Sequence, residues 1–231
     1  MPTIVFVSPK GGAGKTTAAL LLAAQLAETY DVTVVDADPN RPIRAWASGG
    51  NAPKRLTVVS DVDEENIIEQ IEAAAEKTPI VIVDLEGTAA KIVVLAVSQA
   101  DLAVIPIQGS QLDAEQASRA IKVIKQREKM TGRALPFAVL LTRTNPAIRT
   151  RTMSHIQKGL IDAGIPVMET ELHDREAFRA IFSFRQTLKG LDGGEVANID
   201  KAQANVEEYA LEVVRGLAAT SGAEKKGRAV A

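Results

Sequence analysis

The chain has 231 residues, a formal net charge of −2, 46% hydrophobic residues and 3% aromatic ones. That length suits one α/β domain with a sizeable core, and that apolar content excludes disorder throughout. The absence of cysteine excludes disulfides, thiolate catalysis and cysteine-ligated clusters, and two distant histidines make a zinc site hard to build. Scarce aromatics weigh against a stacking platform for single-stranded nucleic acid. The first strand is expected by Thr3, which leaves no room for a leader peptide, and no apolar stretch reaches membrane-span length. A cytoplasmic location is expected.

The apolar run Thr3–Ser8 predicts a buried strand, and Lys10-Gly11-Gly12-Ala13-Gly14-Lys15-Thr16-Thr17 follows it directly. Glycines let backbone N–H groups curl around phosphate oxygens, and the start of a helix predicted over Lys15–Thr29 adds partial positive charge. In such a loop Lys15 reaches the β- and γ-phosphates and the Thr16 hydroxyl sits on Mg²⁺. The general pattern G-x-x-x-x-G-K-[ST] puts its first glycine at position 9, where this chain has Pro9. A second lysine, Lys10, opens the loop instead.

The next strand, Val32–Asp36, ends in Asp36-Ala37-Asp38-Pro39-Asn40. On a continuing strand Asp36 and Asp38 point the same way, so two carboxylates stand near a Mg²⁺–phosphate centre and can orient water. Asp-Pro-Asn is also good turn chemistry, which makes Asp38 a candidate turn cap. A strand at Leu56–Ser60 and a helix at Glu64–Glu76 precede Ile80–Asp84, an apolar run closed by aspartate. Such a strand-end Asp beside a phosphate loop holds Mg²⁺ through its waters; its plain structural alternative is a cap on the following turn.

Helices are then predicted over Ala89–Ser98, Asp113–Met130, Arg149–Ala163, Arg175–Phe184 and Lys201–Ala218. Strands fall at Leu102–Ile107 and Phe137–Thr142, with a short one near Ile165–Met168. Unbroken Val/Ile runs suit parallel strands buried on both faces. The βαβ rhythm predicts an α/β fold, a doubly wound and mostly parallel sheet flanked by helices, with ligands beyond the strands' carboxyl ends. Residues 1–219 read as one P-loop domain and 220–231 as a frayed polar tail without an amphipathic membrane anchor.

Charge is unevenly spread. Between Ser118 and Lys158 ten basic residues face one acid, Glu128, while the remainder holds 17 bases and 28 acids. Such asymmetry suits a polyanion partner or, equally, a solvated helix face balanced by acids elsewhere. Lys122, Lys125 and Lys129 share one helix face beside the apolar stripe Ala117, Ile121 and Ile124. Arg149 and Arg151 open the next helix, where the helix dipole favours acids. These five are the candidate contacts to a polyanion, which the family resemblance given below implies is DNA. Trp46, just past the Asp36–Asn40 loop, is expected to pack.

Pro9-Lys10-Gly11-Gly12-Ala13-Gly14-Lys15-Thr16-Thr17, the Asp36–Asn40 segment and Asp84 together resemble the ParA/MinD superfamily of deviant Walker A ATPases. The small ParF-like plasmid partition proteins match best, helped by Ser98-Gln99-Ala100-Asp101-Leu102, Ile105-Pro106, Leu112-Asp113 and Leu141-Thr142-Arg143. The resemblance spans about residues 2 to 215. It implies ATP and Mg²⁺ as cofactors, slow ATP hydrolysis and an ATP-dependent homodimer in which Lys10 touches the partner's phosphates. It assigns Lys10, Lys15 and Asp38 to catalysis, with Asp38 positioning the hydrolytic water. Gly11 to Thr17 hold the nucleotide, Thr17 at the α-phosphate; Thr16, Asp36 and Asp84 lie at the metal; Thr142 and Arg143 lie where the adenine pocket forms.

The resemblance further implies non-specific DNA binding, nucleoid association without a membrane, and a ParB-like centromere-binding activator. The cargo would be plasmid or chromosomal DNA. Other readings are a MinD-like positioning ATPase, a relative serving conjugation or another cargo, and a P-loop small-molecule ligase. Two departures stand out. Asn40 replaces the family's usual Gln, and Leu85-Glu86-Gly87 follows Asp84 where relatives have small or proline-rich residues. Glu86 pairs with a lysine or arginine, slows turnover by repelling the nucleotide, or is a solvent-facing loop acid. His173 to Phe178 also resembles a family segment, where Arg175 or Arg179 binds DNA or nucleotide unless the pattern is only a capped amphipathic helix.

Overall fold

The computed structural model describes residues 1–86 and 90–228. Gly87, the expected helix start at Ala89 and tail residues 229–231 lie outside them. The elements in chain order are β1 (Thr3–Phe6), α1 (Lys15–Leu26), β2 (Val32–Ala37), α2 (Pro42–Ala47), β3 (Leu56–Val59), α3 (Ile67–Lys77), β4 (Ile80–Leu85) and α4 (Ala90–Ser98). Then follow β5 (Leu102–Ile107), α5 (Gln111–Thr131), β6 (Phe137–Thr144), α6 (Arg151–Asp162), β7 (Leu172–His173), α7 (Glu176–Ser183), a 3₁₀ turn (Leu188–Gly190) and α8 (Ile199–Arg228).

The seven strands form one sheet in the order β3-β2-β4-β1-β5-β6-β7, and every pairing is parallel. From β1 the chain passes outward to β2 and returns to place β4 at its side; β5 then starts the opposite half. This reversal of strand order at β1 opens a crevice at the carboxyl ends. Every residue of β1, β2, β4 and β5 is buried. Alternation divides them between two cores: Ile4, Phe6, Val34, Ile82 and Val104 face α1, α7 and α8. Val5, Val7, Val35, Val83 and Ile105 face α3, α4, α5 and α6. Both layers hold the strand ends rigidly beneath the loops.

Three elements depart from expectation. Ile165–Met168 contributes only an isolated bridge, Val139 to Val167, and the seventh strand is Leu172–His173. Pro166 lacks the N–H that a full ladder needs. Side chains of α8 fix the later segment instead: Asn205 donates to Glu171 O at 2.7 Å, and Glu212 accepts from the N–H groups of Glu169 and Thr170 at 2.7 and 2.8 Å. The short α2 was not expected; Pro42 opens it, but its start is held by Asp36 from β2. Helix α8 continues to Arg228, past the expected end at Ala218. Trp46 packs as expected, 3% exposed, its indole N–H donating to Gln186 O at 2.9 Å.

Candidate nucleotide site

The loop between β1 and α1 sits at the reversal of strand order. Gly12 and Gly14 adopt φ of 78° and 94°, left-handed conformations costly to any residue with a Cβ. Gly14 is constrained twice, because a Cβ there would also lie 3.3 Å from Thr142 Oγ1. Lys15, 7% exposed, donates from Nζ to the carbonyls of Ser8 at 3.2 Å and Lys10 at 3.3 Å. Burial lowers its pKa, against the pull of Asp84, Asp38 and Glu86. Gln108 Nε2 donates to Gly12 O at 2.6 Å, and the Thr142 hydroxyl lies 2.8 Å from Ala13 O and 3.0 Å from Ile107 O.

Asp36 and Asp84 are direct neighbours in the β2–β4 ladder, and both are fully buried. Burial pushes the Asp84 carboxyl up to about 7, with the Thr16 hydroxyl and Lys15 pulling it down and Asp36 and Asp38 pushing it further up. The Thr16 hydroxyl lies against this carboxylate, yet neither Asp84 oxygen has a hydrogen bond of ordinary geometry. Asp36 Oδ2 accepts the N–H groups of Ile43 and Arg44, both at 2.9 Å, while its Oδ1 is unpartnered. Burial raises its pKa too, against these two hydrogen bonds.

Asp38 Oδ1 accepts from Asn40 N at 2.8 Å and Asn40 Nδ2 at 3.1 Å, an Asx turn. The turn-cap reading thus accounts for one of its oxygens. Among the described residues no cluster of three His, Cys, Asp or Glu forms a metal cage. A Mg²⁺ held mainly by phosphates and water needs none, and the Asp84 carboxylate against the Thr16 hydroxyl, with Asp36 Oδ1 unpartnered on the neighbouring strand, fits such an ion.

A cavity of about 160 Å³ adjoins the loop, lined by Gly14, Thr17, Thr142, Arg143, His173 and Arg175. The structure therefore brings Thr142 and Arg143 to the loop. The Thr142 hydroxyl, however, is directed to loop and strand carbonyls; Arg143, with φ of 53°, is exposed. Arg175 Nε is buried without a partner, whereas Arg179 pairs with Asp174 and Glu176.

The basic segment divides by environment. Lys122, Lys129 and Arg151 are exposed. Lys125 pairs with Glu128 at 2.8 Å, its Nζ 5.5 Å from the Phe137 ring centre, and Arg149 pairs with Glu171 at 3.0 Å. Arg127 is buried and donates to the carbonyls of Arg133 at 3.0 Å and Ser98 at 3.3 Å, joining the end of α4 to the turn after α5. Part of that charge is architectural.

A glycine cradle at the reversal point of a parallel sheet, with a buried lysine and two buried carboxylates, defines a P-loop nucleotide-binding protein. The family model described as VirC1 protein matches residues 1–203. Protein ParA of Rhizobium radiobacter is 37% identical over 218 residues, covering 94% of this chain and 98% of that protein. Maintenance of carboxysome distribution protein A of Halothiobacillus neapolitanus is 28% identical over 180 residues, 77% of this chain and 82% of that one. In fold, the chain matches an ATP complex of a Cyanothece McdA variant with a TM-score of 0.73 at 14% identity, over 92% of this chain and 96% of that chain. The chain belongs to the ParA/VirC1 family and is a ParA-family ATPase. No helix among the described residues is long and apolar enough to cross a membrane.

Proposed function

We propose that the protein binds Mg²⁺–ATP at the β1–α1 loop, dimerises on ATP, binds DNA without sequence preference and hydrolyses ATP slowly to segregate or position DNA. The buried group of Lys15, Asp36 and Asp84 beside the glycine cradle carries this reading. The near full-length likeness to a protein named ParA supports it. Lys15 holds its proton on two loop carbonyls, and phosphate oxygens entering the cradle offer it a stronger acceptor. Thr16, Asp84 and the bare oxygen of Asp36 hold the metal. Bound there, Mg²⁺ would neutralise phosphate charge.

Asp38, its rotamer fixed by Asn40, orients the attacking water, and Gly11 to Thr17 cradle the nucleotide. Arg143 and the Thr142 backbone flank the base. Lys10 reaches a second protomer's phosphates, which makes turnover depend on dimerisation. Glu86 adds negative charge to the same field; Glu86→Gly is the variant that measures its influence on turnover.

The DNA step is tested by an ATP-dependent, sequence-independent mobility shift titrated with salt. Charge reversal at the exposed Lys122, Lys129 and Arg151 together should flatten the log–log salt slope by about 3. Reversal at Lys125 or Arg149, already in ion pairs, should change it less. An unchanged slope in the triple variant would dismiss this face. A protein cargo is the second reading, favoured by the likeness to a relative named for carboxysome distribution. A ParB-like DNA-binding protein that stimulates the ATPase selects the first reading; a stimulating cargo protein that binds no DNA selects the second.

A further inference from the structure

The carbonyls of Gly12 and Ala13 are both held from outside the loop, by Gln108 just past the end of β5 and by Thr142 on β6. The two strands are adjacent and in register, Ile107 opposite Leu141. A trans peptide is planar, so its N–H points away from its C=O; the chain has no cis bond. Anchoring Gly12 O therefore sets the direction of the Ala13 N–H. Anchoring Ala13 O sets that of the Gly14 N–H.

Within the loop only the buried Ala13, 1% exposed, stands between these planes. Gly12 and Gly14 flank them, and a Cβ at Gly12 would meet nothing within 4 Å. A Cβ added at Gly14, by contrast, would lie 3.3 Å from Thr142 Oγ1. Without the two external bonds, the packing of one methyl group is what restrains the glycine-flanked planes, and two phosphate donors lose precision of aim.

We propose that Gln108 and Thr142 are positioning residues of the ATPase, locking two peptide planes so that the Ala13 and Gly14 N–H groups face the phosphates. The inference rests on the phosphate-loop reading above. Neither side chain needs to touch the nucleotide, since both act through the backbone. The gain is preorganisation: donors fixed before the ligand arrives cost nothing to order on binding.

The test uses the full chain with Gln108→Ala, Thr142→Val and Thr142→Ser, measuring Mg²⁺–ADP affinity by calorimetry, KM and kcat for ATP, and nucleotide-free melting. Gln108→Ala should weaken Mg²⁺–ADP roughly 2- to 10-fold with little change in melting, because its hydrogen bond is exposed. Thr142→Val should weaken it about tenfold, and Thr142→Ser, which keeps the hydroxyl, by less than about twofold. Affinities of Gln108→Ala and Thr142→Val within about twofold of wild type would overturn the inference. So would variants that only melt lower while binding normally. If Thr142→Val fails to fold, Gln108→Ala decides. Wild type unable to bind Mg²⁺–ADP would instead bring down the phosphate-loop reading itself.

Discussion

Lys15→Ala is expected to lower the ATP turnover rate by at least about 100-fold, the effect of removing a preorganised charge from a developing anion. The side chain leaves water almost completely and spends its protons on Ser8 O and Lys10 O. Burial depresses its pKa from 10.5, so the nucleotide-free fold holds a cation at a cost. That cost is present at neutral pH and disappears as pH rises past the unfolded value. Arriving phosphates should offset it, converting stored desolvation into affinity. Lys15→Ala should therefore bind ATP poorly while melting close to wild type without nucleotide. Steady-state hydrolysis and calorimetry measure both, and turnover within threefold of wild type would refute the role. Lys15→Arg should not rescue, because the planar guanidinium cannot occupy the space of a compact ammonium between two carbonyls.

Asp84→Asn should trade function for stability. With its folded pKa at about 7 against 3.8 in the unfolded chain, ionised Asp84 burdens the metal-free protein. The sign follows from linkage: the penalty is absent below the unfolded pKa and grows as pH rises through about 7. Metal-free wild type should accordingly melt higher at pH 6 than at pH 8. Asparagine, nearly isosteric and uncharged, should raise the melting temperature at pH 8 by roughly 5–10 °C, on the order of 2–4 kcal/mol, and flatten its pH dependence. The same change removes an acid from the proposed metal site, so Mg²⁺-dependent hydrolysis should fall by at least about 100-fold. A variant that melts below wild type at pH 8 would show that Asp84 is not the strained group.

The sheet was legible because its strands are unbroken apolar runs, and so were Gly11 to Thr17, Asp36 and Asp84, whose spacing to the strand ends is itself the signal. What escaped sequence reading depends on contacts between distant segments. Gln108 lies ninety-six positions from the carbonyl it holds. Asn205 and Glu212, which decide where β7 forms, are polar residues on a helix remote in sequence from that strand. Asp36 was placed at the metal, but its capping of α2 could not be seen, because a six-residue helix leaves almost no periodic trace. Charge counting likewise could not tell Arg127, buried against two carbonyls, from the exposed Lys122 and Lys129.

The divided bonding of Asp36 reaches further than the metal site. One carboxylate oxygen is unpartnered; the other carries the first turn of α2, and that helix bears the chain's single tryptophan. Trp46 is bonded in turn to Gln186, on the segment after α7. Indole emission of the unlabelled protein, excited selectively beyond the tyrosine band, therefore has one source, mechanically joined to the carboxylate pair. Metal loading should be readable as a spectral shift of that indole, giving stopped-flow access to the cycle without a dye.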